Sequence, residues 1–204
     1  VISHISIDFV EIDEFFIGDF ENITLIGGYR GSNAYGNALS NTLIGNEYRN
    51  FLDGRGGDDI MRGRGGDDVY YIDSLGDLVD EAGGSGNDRV VSPLSVDLED
   101  TSRFRGSIEQ ILLTEGLGLN MYGDSKANMM EGNATRNILD GRGGADLMRG
   151  LGGNDIYYVD HEGDVVDEWF KGGGGDDQVF ASISIDTTDR YQRGLFKGGI
   201  ERIT

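Results

Sequence analysis

The chain has 204 residues, a formal net charge of −20 and hydrophobic residues at 37 % of its positions. Glycine supplies 35 residues, proline one and cysteine none, which excludes collagen, disulfide frameworks and thiolate zinc sites. So acidic a chain argues against nucleic acid or an anionic membrane as a partner. No apolar run approaches the roughly 18 residues of a membrane-spanning helix, and no signal peptide opens the chain. We therefore expect a thin-cored protein whose charge is neutralised by cations.

A long repeat sets the organisation of the chain. The octapeptide at its start returns twice, each time 89 residues later: Val1–Asp8, Val90–Asp97 and Val179–Asp186. We interpret residues 1–25 as the end of a preceding unit, 26–113 as a first repeat unit and 114–204 as a second. On this interpretation the chain is a piece of a longer array, with the rest of the parent chain as a partner.

A finer repeat of nine residues runs inside each unit. It is clearest at Gly54–Arg62 and Gly63–Tyr71, and it returns 87 residues later at Gly141–Arg149 and Gly150–Tyr158. These copies have glycine in the first, third and fourth places, aspartate in the sixth and a bulky apolar residue in the eighth. Earlier copies have asparagine in the sixth place, and later ones lose glycine or gain insertions. The sixth places are Asn41, Asn50, Asp59, Asp68, Asp77 and Asp88, then Asn128, Asn137, Asp146, Asp155, Asp164 and Asp177.

The period of nine predicts a solenoid of short strands. Six residues form a turn, where glycine allows a positive φ at little cost, and three form a strand whose middle residue points inward. No helical period is present. The eighth places are all apolar, and we expect them to form the core: Leu43, Leu52, Met61, Tyr70, Val79, Met130, Leu139, Met148, Tyr157 and Val166. Residues 89–115 and 178–204 break the period, so we expect irregular turns there.

The nonapeptide resembles the glycine-rich calcium-binding repeat of the RTX, or hemolysin-type, family. The resemblance implies an all-β fold, a right-handed parallel β-roll or β-solenoid with two nonapeptides per turn and Ca²⁺ ions between stacked glycine-rich turns. It implies several ions, about 4–8 for this number of loops. Sixth places one turn apart, such as Asp59 and Asp77, would repel one another unless a cation lay between them. An all-oxygen shell favours Ca²⁺ over Mg²⁺ and over metals that prefer nitrogen or sulfur.

The resemblance also implies which residues bind the ions. Each ion takes side-chain oxygens from two sixth places one turn apart, and carbonyl oxygens from the glycine turns of both loops. The asparagine loops carry less charge, so we expect them to bind loosely or to form asparagine ladders. The candidate ligands are Asn41, Asn50, Gly54, Arg55, Gly56, Gly57, Asp59, Gly63, Arg64, Gly65, Gly66, Asp68, Asp77, Asp88, Asn128, Asn137, Gly141, Arg142, Gly143, Gly144, Asp146, Gly150, Leu151, Gly152, Gly153, Asp155, Asp164 and Asp177.

The resemblance implies a calcium-binding structural module of a secreted bacterial protein. Such proteins leave the cell unfolded by type I secretion and fold outside it, in the extracellular space or at the cell surface, where calcium is available. We expect no enzymatic activity, because every acid pair recurs with the repeat and no phosphate-binding loop is present. The two histidines, His4 and His161, lie in different parts of the repeat, which favours a surface role for both.

Two alternative functions stay open. One is a carbohydrate-binding accessory module of a polysaccharide-modifying enzyme similar to alginate epimerases, with extracellular polysaccharide as the partner. The other is an extender module of a large adhesin, which the tandem units favour. Sugar binding would use exposed aromatic residues or a basic stripe. The candidates are Tyr71, Tyr158, Trp169, Arg55, Arg62, Arg64, Arg142 and Arg149.

Overall fold

A computed structural model describes residues 21–26, 32–168, 170–185, 196–197 and 202–204. Within these ranges all paired strands are parallel, and helical structure is limited to a 3-10 turn at Phe170–Gly172. The chain forms two compact units, Val1–Val91 with Asp100–Ile108 and Ser92–Glu99 with Glu109–Thr204. Each is a parallel β-solenoid, so the all-β fold class is confirmed. No helix in the described part is long and apolar enough to cross a membrane.

In unit 1 successive strands alternate between two parallel sheets. The first sheet contains Asn22–Thr24, Thr42–Ile44, Ile60–Arg62, Leu78–Glu81 and Phe104–Gly106. The second contains Asn33–Tyr35, Phe51–Asp53, Val69–Tyr71 and Arg89–Ser92. Leu43 pairs with Met61, and Leu52 with Tyr70, so neighbouring strands of a sheet are 18 residues apart. Two nonapeptides therefore make one turn, as the resemblance implies.

Unit 2 repeats this arrangement. Its first sheet contains Gln110–Leu113, Met129–Glu131, Leu147–Arg149, Val165–Asp167 and Phe196–Lys197. Its second contains Val96–Asp97, Asn120–Tyr122, Ile138–Asp140, Ile156–Val159, Gln178–Ala181 and Arg202–Ile203. The stretches 89–115 and 178–204, expected to be irregular, still contribute parallel strands to the sheets.

The insertions lie in turns and leave the register of the sheets intact. Val69 pairs with Arg89, 20 residues on, and Ile156 pairs with Gln178, 22 residues on. Compared with the regular 18, these steps hold two and four extra residues. The loops that precede Asp88 and Asp177 take up the extra length, so both acids keep their places in the stack.

The core is thin. Most strands of the regular turns bury their middle residue and leave the two flanking residues half-buried. All ten eighth-place residues have 0 % of their surface exposed, which confirms their prediction as core. Burying one such side chain stabilises the fold by about 1.5–3 kcal/mol. Because each nonapeptide contributes little more than its eighth-place residue to this core, the fold needs a further source of stability.

Candidate metal centre

The sixth-place side chains form columns linked by hydrogen bonds. The backbone N–H of Asn41 donates to Oδ1 of Asp59 at 2.7 Å, and the N–H of Asp59 donates to Oδ1 of Asp77 at 3.0 Å. The other three columns have the same bonds, with distances from 2.6 to 3.0 Å: Asn50–Asp68–Asp88, Asn128–Asp146–Asp164 and Asn137–Asp155–Asp177. The structure therefore brings together all twelve predicted sixth places, including the two that follow insertions.

In each glycine-rich loop, the sixth-place carboxylate buries an oxygen that has no hydrogen-bond partner. The atoms are Oδ2 of Asp59, Asp68, Asp146 and Asp155, and the residues are at most 1 % exposed. A buried carboxylate oxygen without a partner carries a large desolvation cost unless a cation or a proton meets it. All four lie in the loops with glycine in the first, third and fourth places. These loops thus offer the donors that a hard cation requires.

In the asparagine loops, by contrast, the side-chain oxygen already closes a turn. Oδ1 of Asn41 accepts the N–H of Asn37 at 2.8 Å, and Oδ1 of Asn128 accepts the N–H of Asp124 at 2.9 Å. Asn50 and Asn137 make the equivalent bonds. These loops keep their turns through the amide group alone, so they depend less on an ion.

The third loop of the two fully regular columns also satisfies its acid locally. Oδ2 of Asp77 accepts the N–H groups of Asp73 and Ser74, both at 3.0 Å. Asp164 makes the same pair of bonds in unit 2. In these two columns, Asp59 and Asp146 each have one oxygen without a partner. The carboxylate one turn later is held by backbone N–H groups.

The backbone of the four glycine-rich loops is distinctive. Their second places hold non-glycine residues at φ from 58° to 80°, namely Arg55, Arg64, Arg142 and Leu151. Their fourth places hold glycines at φ from 97° to 126°, namely Gly57, Gly66, Gly144 and Gly153. These are the two places from which the resemblance implies carbonyl ligands. Among the described residues, the asparagine loops show no positive φ at these places.

In two of these loops, the aspartate in the ninth place of the preceding repeat stabilises the positive φ of the second-place residue. The N–H of Arg55 donates to Oδ1 of Asp53 at 2.8 Å, and that of Arg142 donates to Oδ1 of Asp140 at 3.0 Å. Both aspartates are half-buried. Their side chains offset part of the roughly 1–2 kcal/mol that a left-handed conformation costs a non-glycine residue.

Two adjacent glycines offer a matched test of this turn. A Cβ on Gly57, at φ 112°, would lie 2.7 Å from backbone atoms of Leu39, whereas a Cβ on Gly56 would meet only an ordinary 3.8 Å contact. We expect Gly57→Ala to cost at least about 2 kcal/mol, because strain and collision add. Gly56→Ala should change the free energy of unfolding by less than about 1 kcal/mol. Urea denaturation in saturating calcium measures both, and equal losses would contradict this account of the turn.

Burial strongly raises the pKa values of the sixth-place aspartates in these loops. It raises the pKa of Asp59 to about 6 and that of Asp68, Asp146 and Asp155 to about 7, from 3.8. The next carboxylate in each column adds repulsion to the same effect. Burial has this effect because it removes the water that would solvate the charged form of the carboxyl group. The metal-free loops therefore keep their protons to a higher pH than exposed aspartates do, and a cation would compete with those protons.

The shifts predict opposite pH trends with and without calcium. Because these pKa values are higher in the folded chain than in the unfolded one, the folded metal-free state binds more protons between about pH 4 and 7. The free energy of unfolding in chelator should therefore fall as pH rises from 5 to 8. Calcium affinity should rise over the same range, since fewer protons compete. Denaturation and calorimetry at pH 5.5 and 8 check both slopes, and parallel slopes would contradict the assignment.

Two buried glutamates were not among the predicted site residues. Glu81 and Glu168 are 3 % exposed and stand in the first place of the insertion-bearing loops, where regular copies have glycine. Oε1 of Glu81 accepts hydrogen bonds from the Tyr70 hydroxyl and from the N–H of Gly63, the latter at 3.2 Å. Tyr157 donates to Glu168 in the same way. The available signal in the sequence was a glutamate eleven residues after each eighth-place tyrosine.

Most of the residues considered for sugar binding already form ion pairs or ring contacts within the chain, or lack exposure. Among the arginines of the stripe, Arg62 pairs with Asp80 at 2.9 Å, Arg149 with Asp167 at 3.4 Å and Arg142 with Asp97 at 2.8 Å. Tyr71 is half-buried. Tyr158 is 42 % exposed and stacks on Phe180, with ring centroids 5.4 Å apart. His161 is exposed, and His4 and Trp169 lie outside the described residues.

Fold and loops together define a parallel β-solenoid whose turns present buried carboxylates suited to cations. Comparison with protein families matches the RTX calcium-binding nonapeptide repeat in four copies, over residues 35–70, 122–157 and 163–187. The chain therefore contains RTX calcium-binding repeats. Comparison with curated proteins gives no match. The matched ranges include the four glycine-rich loops with their buried acids.

Proposed function

We propose that the chain is a calcium-dependent structural module, in which Ca²⁺ between stacked glycine-rich turns supplies stability that the thin core lacks. The observation that carries this proposal is the coincidence of two features in four loops. These loops have the positive-φ backbone at the second and fourth places, and they hold the buried, unpartnered oxygens of Asp59, Asp68, Asp146 and Asp155. A cation would satisfy both the buried charge and the turn carbonyls.

The proposed ligand sets follow the columns. For the column of Asp59 and Asp77, the ion would take one carboxylate from each, with carbonyls of Arg55 and Gly57 from the first loop. First- and third-place carbonyls would come from the next loop. The remaining candidate ligands are proposed on the same rule. All donors are oxygen, which suits Ca²⁺ because it accepts six to eight oxygen ligands in flexible geometry.

The charge of the chain supports folding outside the cell. At −20, a chain without bound cations repels itself, so low calcium opposes collapse. We place the module in a bacterial protein that is exported by type I secretion and folds where calcium is abundant. Polysaccharide binding has weaker support, because three arginines of the basic stripe are paired with acids.

Calorimetric titration of the full chain with calcium tests this function. We expect at least two affinity classes, with the tighter class in the loops of Asp59, Asp68, Asp146 and Asp155. The asparagine loops bring one negative charge fewer to each pair, and their amide oxygens already accept backbone hydrogen bonds. A net difference of about 1–2 kcal/mol corresponds to roughly tenfold in affinity.

Magnesium provides the control for that titration. Its demand for near-octahedral geometry should make it bind far more weakly than calcium in these turns. A structure solved at limiting calcium would then locate the tight ions. Full occupancy beside the asparagine loops, with empty aspartate pairs, would contradict the ranking. An absence of calcium binding by the chain would contradict the function itself.

A further inference from the structure

Three buried carboxylates converge in unit 1 where the regular nonapeptide pattern supplies two. Asp68, Glu81 and Asp88 each offer an oxygen, and these three atoms lie within 4.8 Å of one another. The residues are 0 %, 3 % and 2 % exposed. Three formal negative charges at this spacing, shielded from water, are strongly unfavourable without a positive partner.

An independent observation points to a ligand at this place. Asp68 keeps one oxygen, Oδ1, on the N–H of Asn50 at 2.6 Å, while its buried Oδ2 has no hydrogen-bond partner. A Cβ on Gly63 would collide with both that Oδ2 and the Tyr70 hydroxyl. The unpartnered oxygen thus faces the first-place glycine and the tyrosine that orients Glu81. It is directed into the cluster.

Two hydrogen-bond donors orient the carboxylate of Glu81. Its Oε1 is the acceptor for the Tyr70 hydroxyl and for the N–H of Gly63. The Tyr70 hydroxyl also accepts the N–H of Gly63 at 2.7 Å, so tyrosine, glutamate and turn backbone form one connected network. Such a network positions a carboxylate, as the groups behind metal ligands commonly do.

Unit 2 has the same residue types in the equivalent places. Asp155, Glu168 and Asp177 are at most 3 % exposed, and Oδ2 of Asp155 has no hydrogen-bond partner. Tyr157 donates to Glu168 and accepts the N–H of Gly150 at 2.8 Å. The two insertions differ in length by two residues, yet both keep the glutamate and the tyrosine together. The tyrosine–glutamate network therefore recurs in both units, while the convergence of three carboxylate oxygens within 4.8 Å is found in unit 1.

We propose that Glu81 and Glu168 are metal ligands, each adding a third carboxylate to a cation site that the regular nonapeptide builds from two. The first site comprises Asp68, Glu81 and Asp88, and the second Asp155, Glu168 and Asp177. Each takes Ca²⁺, and its charge of −3 gives it a greater preference for a trivalent hard cation than the two-aspartate sites have. This inference rests on the proposed calcium function and assigns it two further ligands.

The test compares Glu81→Gln and Glu168→Gln with Glu115→Gln in the full chain. Glu115 is exposed and lies outside the nonapeptide loops, so it controls for the loss of one charge. Calorimetry with calcium gives the number and affinity of ions, and competition between Tb³⁺ and Ca²⁺ gives the trivalent preference. We expect Glu81→Gln to weaken one ion at least about tenfold and to lower the Tb³⁺ preference of that site. Glu115→Gln should change neither.

Two further variants separate a ligand from a structural side chain. Tyr70→Phe keeps the carboxylate but removes its hydroxyl partner, and it should retain the ion with modestly reduced affinity. If Glu81→Gln lowers stability but leaves ion number, affinity and Tb³⁺ preference unchanged, Glu81 is only a partner of Tyr70 and the proposal is overturned. Asp59→Asn distinguishes failure of the glutamate ligand assignment from failure of the calcium function. If it weakens calcium binding while Glu81→Gln does not, the ligand assignment alone fails, and if neither does, the calcium function fails too.

Discussion

Removing calcium is expected to unfold most of the chain. Most strands of the nonapeptide turns bury a single apolar side chain, while the glycine-rich loops enclose carboxylate oxygens that no protein group satisfies. An ion that binds only the folded state stabilises it by about 2.7 kcal/mol at one hundred times its dissociation constant. Several such ions amount to the whole stability of an ordinary domain, which is about 5–15 kcal/mol. Far-ultraviolet circular dichroism with and without a calcium chelator measures the effect.

The control for this prediction is magnesium added to the chelated chain. Magnesium restores ionic strength and divalent charge but fits the turns poorly, so the β spectrum should return with calcium and stay absent with magnesium. A β spectrum that survives chelation would show that packing alone holds the fold. In that case the buried carboxylates would have to be protonated, and the metal-free chain would lose its β spectrum as pH rises through about 7.

The regular part of this fold could be predicted from sequence because one period controls both sheet register and burial. When each step of nine residues contains a strand of three, every eighth-place side chain points into the core. Leu43, Met61 and Val79 therefore stack in one column and are all fully buried. The same period placed the sixth-place acids one above another. Local spacing was sufficient because each turn contacts its neighbours above and below.

The insertion-bearing loops could not be predicted in the same way. Comparison with the regular repeats placed their acids, Asp88 and Asp177, in the correct columns. It did not identify the buried glutamates in the first place of the same loops. In a regular loop that place is glycine because a Cβ would collide with the sixth-place carboxylate. Glu81 and Glu168 stand in this place in the two loops that carry insertions, and each accepts a hydrogen bond from the tyrosine eleven residues before it. The sequence spacing alone did not show that tyrosine and glutamate meet.

The asparagine loops differ from the aspartate loops for a reason that composition alone conceals. Asparagine and aspartate have nearly the same shape, and both are common in turns. In the structure, Asn41 turns its oxygen to the backbone of its own loop, whereas Asp59 leaves Oδ2 unpartnered next to Gly54. The difference arises with the residue in the second place, which is at positive φ in the Asp59 loop. The sequence predicts weaker binding from charge, and this difference in geometry supports the same prediction.

Asp59→Ala is expected to remove more than one ion. Asp59 lies between Asn41 and Asp77 in its column, and it is hydrogen-bonded to the backbone of the first and the side chain of the second. Its carboxylate would therefore contact the ions on both sides. Counting bound calcium by native mass spectrometry and calorimetry tests this. The matched control is Asp58→Ala, which removes the same charge from the adjacent, exposed residue and should leave the ion count unchanged.

The stability of the same variant should depend on calcium in a way that a structural aspartate would not show. In saturating calcium, losing two ions costs about 2.7 kcal/mol each at one hundred times the dissociation constant. At the lowest calcium concentration that keeps the chain folded, the ions contribute less, and the variant removes a buried oxygen that has no partner, which offsets the loss of the hydrogen bond from Asn41, so the cost should be smaller. Denaturation at both calcium concentrations gives the two values. Equal losses at both concentrations, or the loss of a single ion with the others bound at unchanged affinity, would show that Asp59 does not bridge neighbouring sites.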